Sequence, residues 1–243
     1  MEASSDVLPI ISSESLGTDL LVESLKCRNS GSHFLQHTHR TMNKDVRKGR
    51  IGANILPAHE SDGLRSERQQ GDWIIFGLAH TRLWTLKTYI LFIKTMKSRG
   101  LIKRILAIGP INNNYADQEL EFANEHLGED VLFQLGALPA DEVSGELLQA
   151  EVALVASSPE TLKKSGSFAA LAAHALPIIC DIPSNLSDPP ARALFKPAEL
   201  MNKSDILVSP EYEKRKKQLH HWFWRTRNWK VIELNMTSWM KEG

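Results

Sequence analysis

What the chain lacks narrows it first. It has only two cysteines in 243 residues, Cys27 and Cys180, far apart and the second inside an apolar run. That excludes a disulfide framework and predicts two reduced thiols in a cytoplasmic protein. There is no surplus of charge of either sign, since 29 Lys and Arg balance 29 Asp and Glu. A neutral chain sets up no long-range field for a nucleic-acid backbone, so nucleic acid is not an expected partner and any anion must be held by a local cluster. No run of 18 uncharged apolar residues occurs, and the N-terminus around Glu2 and Asp6 has no basic region leading into an apolar one. A membrane span and a signal segment are therefore not expected. Three motifs are missing as well: G-x-G-x-x-G after the first strand of the regular pattern, G-x-x-x-x-G-K-[ST], and an Asp-x-Asp pair. Dinucleotide dehydrogenase, P-loop NTPase and carboxylate-held metal on a diphosphate each lose their main support.

What is present is a core-forming chain, 42% hydrophobic, with a regular pattern from Trp73 onward. Ile74–Phe76 reads as a strand closed by Gly77, followed by a loop from Leu78 to Arg82 and a helix with Leu86, Ile90, Ile93 and Met96 on one face, stopped by Gly100. Arg104–Ile108 is the second strand, closed by Gly109, and Asp117 is a candidate cap for a helix through Leu120, Phe122, Ala123 and Leu127. Val131–Leu135 is the third strand, closed by Gly136, with Pro139 opening a helix through Val143, Leu147 and Leu148. Val152–Ala156 and Pro177–Cys180 are the fourth and fifth. Strands alternating with helices predict an α/β fold: a Rossmann-like parallel sheet with helices on both faces.

The expected organisation has four parts. Residues 1–57 read as a linker-like strand, helix and strand: Val7–Ile11, a helix carrying Leu16, Leu20, Leu21 and Leu25, a polar loop Arg28–Arg47, and a strand Arg50–Leu56 ending at Pro57. In the loop, His33, His37 and His39 have a spacing that suits a metal, yet no thiolate or carboxylate cluster accompanies them and no metal is expected. Residues 58–72 read as a charged linker, 73–209 as the Rossmann-like domain and 210–243 as a helical segment. That last segment mixes Lys214, Arg215, Lys216 and Lys217 with Trp222, Phe223, Trp224 and Trp229. Its rings either pack on the domain or stand open as a contact surface for a partner or a lipid interface.

The organising stretch is Val152 to Asp181. A strand runs through Ser157, Ser158, Pro159 and Glu160 to Lys163 and Lys164, and then Ser165, Gly166 and Ser167 open a small-residue helix, Phe168–Ala175. Backbone N–H groups at a helix start, with the positive end of its dipole and a lysine beside it, form an anion cradle. An ordinary capped βα turn with solvated lysines is the other reading of the same residues. Ligands of open parallel sheets lie beyond the carboxyl ends of the strands. One edge should thus collect Gly77, His80, Arg82, Lys87, Gly109, Pro110, Leu138 and Lys163 to Ser167, a basic set suited to a pyrophosphate.

At this point the series resembles the donor-binding half of GT-B glycosyltransferases of the family 4 type. The matching residues are Ile75-Phe76-Gly77 with its basic loop, Ile108-Gly109-Pro110, Phe133 to Leu148 with Gly-x-Leu-Pro inside it, and Ala153 to Cys180 with Lys164-Ser165-Gly166-Ser167-Phe168 before Ala175-Leu176-Pro177-Ile178-Ile179. The resemblance implies a nucleotide-diphosphate sugar as partner and no cofactor. By it, Gly77, His80, Arg82, Lys87, Lys164, Ser165, Gly166 and Ser167 meet the diphosphate and sugar, while Gly109 and Leu138 border the base. Retaining members often carry two glutamates about seven residues apart around the last loop; here Ala170 stands where the second is expected, with Glu160 the nearest acid before it. A whole acceptor domain before the linker is also missing from the chain, which points to a separate acceptor polypeptide or to self-association. Competing readings are a non-catalytic interaction module on the same fold and a sugar epimerase of related architecture, the latter needing cleft carboxylates.

Overall fold

The computed structural model describes residues 51–65, 67–111 and 114–242. The strand, helix and histidine loop expected in 1–50 lie outside them. A short helix α1 (Asp62–Arg65) precedes β1 (Gln69–Phe76), and the chain continues as α2 (Ala79–Ser98), β2 (Arg104–Ile108), α3 (Asn114–Leu127), β3 (Leu132–Gly136), α4 (Ala140–Gln149) and β4 (Ala150–Leu154). Two consecutive helices, α5 (Pro159–Lys164) and α6 (Gly166–Ala173), lead to β5 (Ile178–Ile179). Then come α7 (Pro197–Asn202), α8 (Pro210–Thr226) and α9 (Trp229–Glu242). No helix of the described residues is long and apolar enough to cross a membrane.

The five strands form one sheet in the order β3-β2-β1-β4-β5, and every pairing is parallel. The middle of β1 shows why: Trp73, Ile74 and Ile75 are consecutive and all buried, which requires cover on both faces of the sheet. Trp73 and Ile75 pack with Leu86, Tyr89 and Ile93 of α2 and Ala123 and Leu127 of α3. Ile74 points the other way, into a core with Leu147 of α4, Phe168 and Leu171 of α6, and Leu219 and Phe223 of α8. Helices therefore lie on both faces. The residues of α6 from Phe168 to Ala173 are all buried, because side chains this small let a helix sit close on the sheet.

Several boundaries differ from the sequence expectation. The stretch 58–72 is not a plain linker: it contains α1 and the first residues of β1, where Asp72 takes a two-pronged ion pair from Arg104 at 2.8 and 2.6 Å. The strand expected at Arg50–Leu56 does not form among the described residues 51–56. Instead its backbone is gripped by side chains, Ile51 O by Arg227 Nε at 2.6 Å and Ala53 O by Trp229 Nε1 at 2.7 Å. The C-terminal rings are not an open patch. Trp222 is half-buried, tilted against Phe168 at 5.9 Å and donating to Asp188, while Trp224 stands edge-on to Phe223 at 5.3 Å. Only Trp229 of the three counts as exposed, at 44%. α8 belongs to the core because Leu219 and Phe223 share a stripe of it with α6 beneath.

A buried pair ties α4 to the end of α6. Ser144 Oγ lies 2.8 Å from His174 Nε2, and His174 Nδ1 lies 2.7 Å from Ala170 O. A carbonyl can only accept, so Nδ1 carries the proton and the serine donates to Nε2. Burial pulls the His174 pKa from 6.5 down to about 4. The folded state thus refuses a proton that the unfolded chain takes up below about pH 6.5. Stability present above that pH is lost as pH falls toward 4 and levels off below it, by about 3 kcal/mol in all. The thermal midpoint is expected to drop between pH 7 and pH 5, and His174→Gln to flatten much of that drop. His220, also pulled down by burial, contributes with the same sign.

Candidate functional site

The strand order reverses between β1 and β4, and in open parallel sheets ligands bind at the carboxyl ends of the strands at such a switch point. β1 leaves through Gly77 and β4 through the segment that holds α5 and α6. These meet: a Cβ placed on Gly77 would lie 3.5 Å from Ser167 Oγ and 3.2 Å from Thr81 Oγ1. With φ at +142°, Gly77 occupies backbone space that a side chain rarely adopts. The bare backbone of β1 thus faces the start of α6 across a narrow gap.

On the β4 side, the residues expected as a cationic loop are helical. Ser158 caps α5 by accepting from Thr161 N, with Pro159 following it, and Lys163 and Lys164 form the last turn. Ser165 closes α5 and opens α6 together, its Oγ accepting from Phe168 N at 3.0 Å. The first N–H groups of α6, at Gly166 and Ser167, belong to the turn that has no intrahelical acceptor. Lys164 is exposed and Lys163 half-buried beside this start. Glu160 is exposed in the first turn of α5, and Ala170 is buried within α6.

Arg82 does not serve as expected. α2 begins at Ala79, so Arg82 sits in its first turn on the inner face, fully buried. Its guanidinium is spent on Glu119 of α3, with Nε to Oε1 at 2.9 Å and Nη2 to Oε2 at 2.8 Å. Nη1 donates to Gly77 O at 2.7 Å, and Pro110 O lies within 3.4 Å. Gln134 of β3 adds a bond to Glu119 at 2.8 Å. This cluster clamps the ends of β1, β2 and β3, and the Arg82 guanidinium is turned to the protein's own groups at that edge. Gly109 completes the clamp: a Cβ there would fall 2.1 Å from Gly77 O, which makes it a packing glycine at the strand end.

Lys87 is likewise turned aside, its ammonium 5.7 Å over the ring of Phe122 in the groove between α2 and α3. His80 remains exposed at the edge, its ring edge-on to Tyr115 at 5.9 Å, and Leu138 is half-buried against the core. The structure therefore brings together Gly77, Ser165, Gly166, Ser167 and Lys164, and withdraws Arg82 and Lys87. Sequence reasoning missed the supports. Tyr89 OH donates to Val155 O and accepts from Asp181 N, at 3.1 and 3.0 Å, and Thr85 Oγ1 accepts from Ala156 N. Glu119 carried a readable signal, an acid on the buried stripe Ala116, Glu119, Ala123. Among the described residues no three His, Cys, Asp or Glu side chains are grouped to hold a metal ion.

No protein-family model matches the chain, and no curated protein matches it in sequence. Solved structures do match it in fold. Sucrose-phosphate synthase from Thermosynechococcus elongatus superposes with a TM-score of 0.56 at 16% identity, over 79% of this chain and 51% of that one. The fold is a Rossmann-like α/β arrangement like that of GT-B glycosyltransferase domains. A glycosyltransferase from Rickettsia africae superposes as well, with a TM-score of 0.51 at 12% identity over 88% of this chain and 52% of the other. So does S. aureus TarM, a mutant in complex with fondaparinux, α-GlcNAc-glycerol and UDP, with a TM-score of 0.54 at 10% identity over 82% and 41%. The chain thus spans about half the length, or less, of the structures it matches. At such identities the likeness is one of fold alone.

Proposed function

We propose that this GT-B half binds the diphosphate of a nucleotide sugar in the crevice between β1 and β4, without a divalent metal. The observation that carries the reading is the apposition of Gly77 with the start of α6 at the point where the strand order reverses. A side chain at Gly77 would close on Ser167 and Thr81; its lack lets a phosphate approach the backbone of β1 beside the Ser167 hydroxyl. The N–H groups of Gly166 and Ser167, the Ser167 hydroxyl and the Lys164 ammonium supply donors and charge. UDP in the matched TarM structure agrees with a nucleoside diphosphate as the ligand class.

In a transfer reaction the glycosidic bond breaks toward the diphosphate, whose oxygens gain charge. Lys164 and the helix start then bind the leaving group more tightly than the bound donor, which is the part of catalysis this half contributes. The acceptor hydroxyl is held by groups outside the crevice, supplied by another polypeptide or domain, and the 243-residue chain by itself is expected to show at most slow donor hydrolysis.

Calorimetric titration with UDP, GDP and ADP, each with and without chelator, tests the reading. Binding of at least one, unchanged by chelator, is expected. Lys164→Ala should weaken it roughly tenfold or more, the worth of one charge-assisted hydrogen bond. Lys217, exposed on α8, is the neutral control; Lys216 is not, because it is buried and its Nζ lies 3.4 Å from Leu64 O. Absence of binding to all three nucleotides, or binding that vanishes with chelator, contradicts the proposal.

A further inference from the structure

We propose that two copies of this chain associate about a two-fold axis through the face formed by α2 and α3. On α2, His80, Trp84, Lys87, Leu91 and Lys94 recur at helical spacing, and Trp84 and Leu91 are 62% and 76% exposed. Rings and branched chains of that size are seldom left so bare on a helix whose other side fills a core. The apolar strip continues sideways through Leu120 of α3 and, beyond α2, through Met201 of α7 and Val208. Arg99 at the end of α2 holds Met201 O at 2.9 Å, which keeps α7 alongside.

The charges say what covers the strip. α2 carries Lys87, Lys94 and Lys97 on its surface and no acid, its fourth cation Arg82 being buried against Glu119. α3 carries Asp117, Glu121 and Glu125 on its surface and no Lys or Arg. The two helices lie side by side, yet among the described residues no ion pair joins these two sets. An anionic lipid surface would meet the carboxylates of α3 together with the lysines of α2, so the attraction largely cancels. A second copy does not have this problem. Rotation about an axis running along the groove between the helices lays α2 on the partner's α3, and the same contact repeats on the other side, as an isologous interface demands.

The register agrees. Both helices start at the carboxyl edge of the sheet; Lys87 is eight residues past Ala79, and Glu121 seven past Asn114. Lys87 then comes opposite the partner's Glu121, and Lys94 within reach of the partner's Glu125, an offset of about 6 Å along the axes. Trp84 and Leu91 supply the apolar contact, and Lys87, exposed over Phe122, swings from the groove to reach the partner's acid. Two helices of this length present on the order of 600 Å² per partner, and the α7 margin brings the patch toward the ~800 Å² of a standard interface.

Sedimentation velocity on the full chain over a range of concentrations tests this. Wild type is expected to pass from monomer to dimer. Lys87→Glu with Lys94→Glu, and separately Glu121→Lys with Glu125→Lys, should each weaken the dimer roughly 10- to 100-fold, because the two-fold doubles every repulsive contact. An equimolar mixture of the two charge-reversed variants should dimerise again, which a folding defect would not allow. Trp84→Ser with Leu91→Ser should be monomeric with an unchanged circular dichroism spectrum. A wild type that stays monomeric to its solubility limit overturns the proposal. So does a mixture that fails to restore the dimer, or a monomer that instead sediments with phosphatidylserine vesicles through Lys87 and Lys94.

Discussion

Arg82→Ala is expected to cost about 3–5 kcal/mol of folding stability, a large part of the ~5–15 kcal/mol that a domain of this kind has. The reason is the orphan it creates. Glu119 is fully buried, and without the guanidinium its carboxylate keeps, among the described residues, only the amide of Gln134 at 2.8 Å. Gly77 O and Pro110 O lose their donor in the same step. Arg82→Lys should recover little, since one ammonium cannot span a carboxylate and two carbonyls in fixed directions. Arg82→Met combined with Glu119→Leu should recover more than half, because removing both charges removes the desolvation cost with them. Urea unfolding of the four proteins measures all of this. A variant Arg82→Ala that keeps wild-type stability and only loses nucleotide binding would show the guanidinium leaving Glu119 to meet the ligand.

Arg68→Ala is expected to have a comparable effect from the opposite edge of the sheet. Nη1 donates to Leu147 O and Ala150 O at 3.0 and 2.8 Å. Nη2 donates to His174 O and Ala175 O at 2.9 and 3.0 Å. One planar fork thus satisfies carbonyls at the C-terminal ends of both α4 and α6, where the helix dipoles also favour a cation. Removing it leaves several inward-facing acceptors unpaired, at a cost of about 3 kcal/mol. Lysine at this position should restore less than half, again for want of a second prong. Chemical denaturation of Arg68→Ala and Arg68→Lys beside wild type decides it; a loss under about 1 kcal/mol would mean that water replaces the fork freely.

The first three strands were legible because each is an apolar run stopped by a glycine, Gly77, Gly109 and Gly136, and all three glycines have positive φ; the fourth and fifth were legible from their apolar runs alone. The start of α2 was not. Leu78 precedes it without a side-chain cap and no acid lies in its first turn, so the usual signals of a helix start are absent and the sequence places Arg82 in an open loop. One turn of helix reverses its meaning, from a ligand contact to a buried clamp. The segment after β4 did carry a signal, Ser158 followed by Pro159 and Glu160, which is a helix start. Arg68 had none: it stands in a charged stretch without period, and its six nearest acceptors come from residues at 63, 147, 148, 150, 174 and 175. Long-range packing of this sort leaves no local trace. The C-terminal rings were ambiguous for a related reason, since the residues that cover Trp222, Phe168 and Asp188, come from distant parts of the chain.

The most direct measurement is a nucleoside diphosphate titration followed through the backbone amides by heteronuclear NMR. UDP is the first ligand to use, with GDP and ADP beside it, in the presence of chelator. If the crevice between β1 and β4 holds the diphosphate, the amides of Gly77, Gly166 and Ser167 should shift first and farthest, and those of Gly100 and Gly128, past the far ends of α2 and α3, should not move. Saturating shifts confined to some other part of the molecule, or no shift with any of the three nucleotides, would contradict the account.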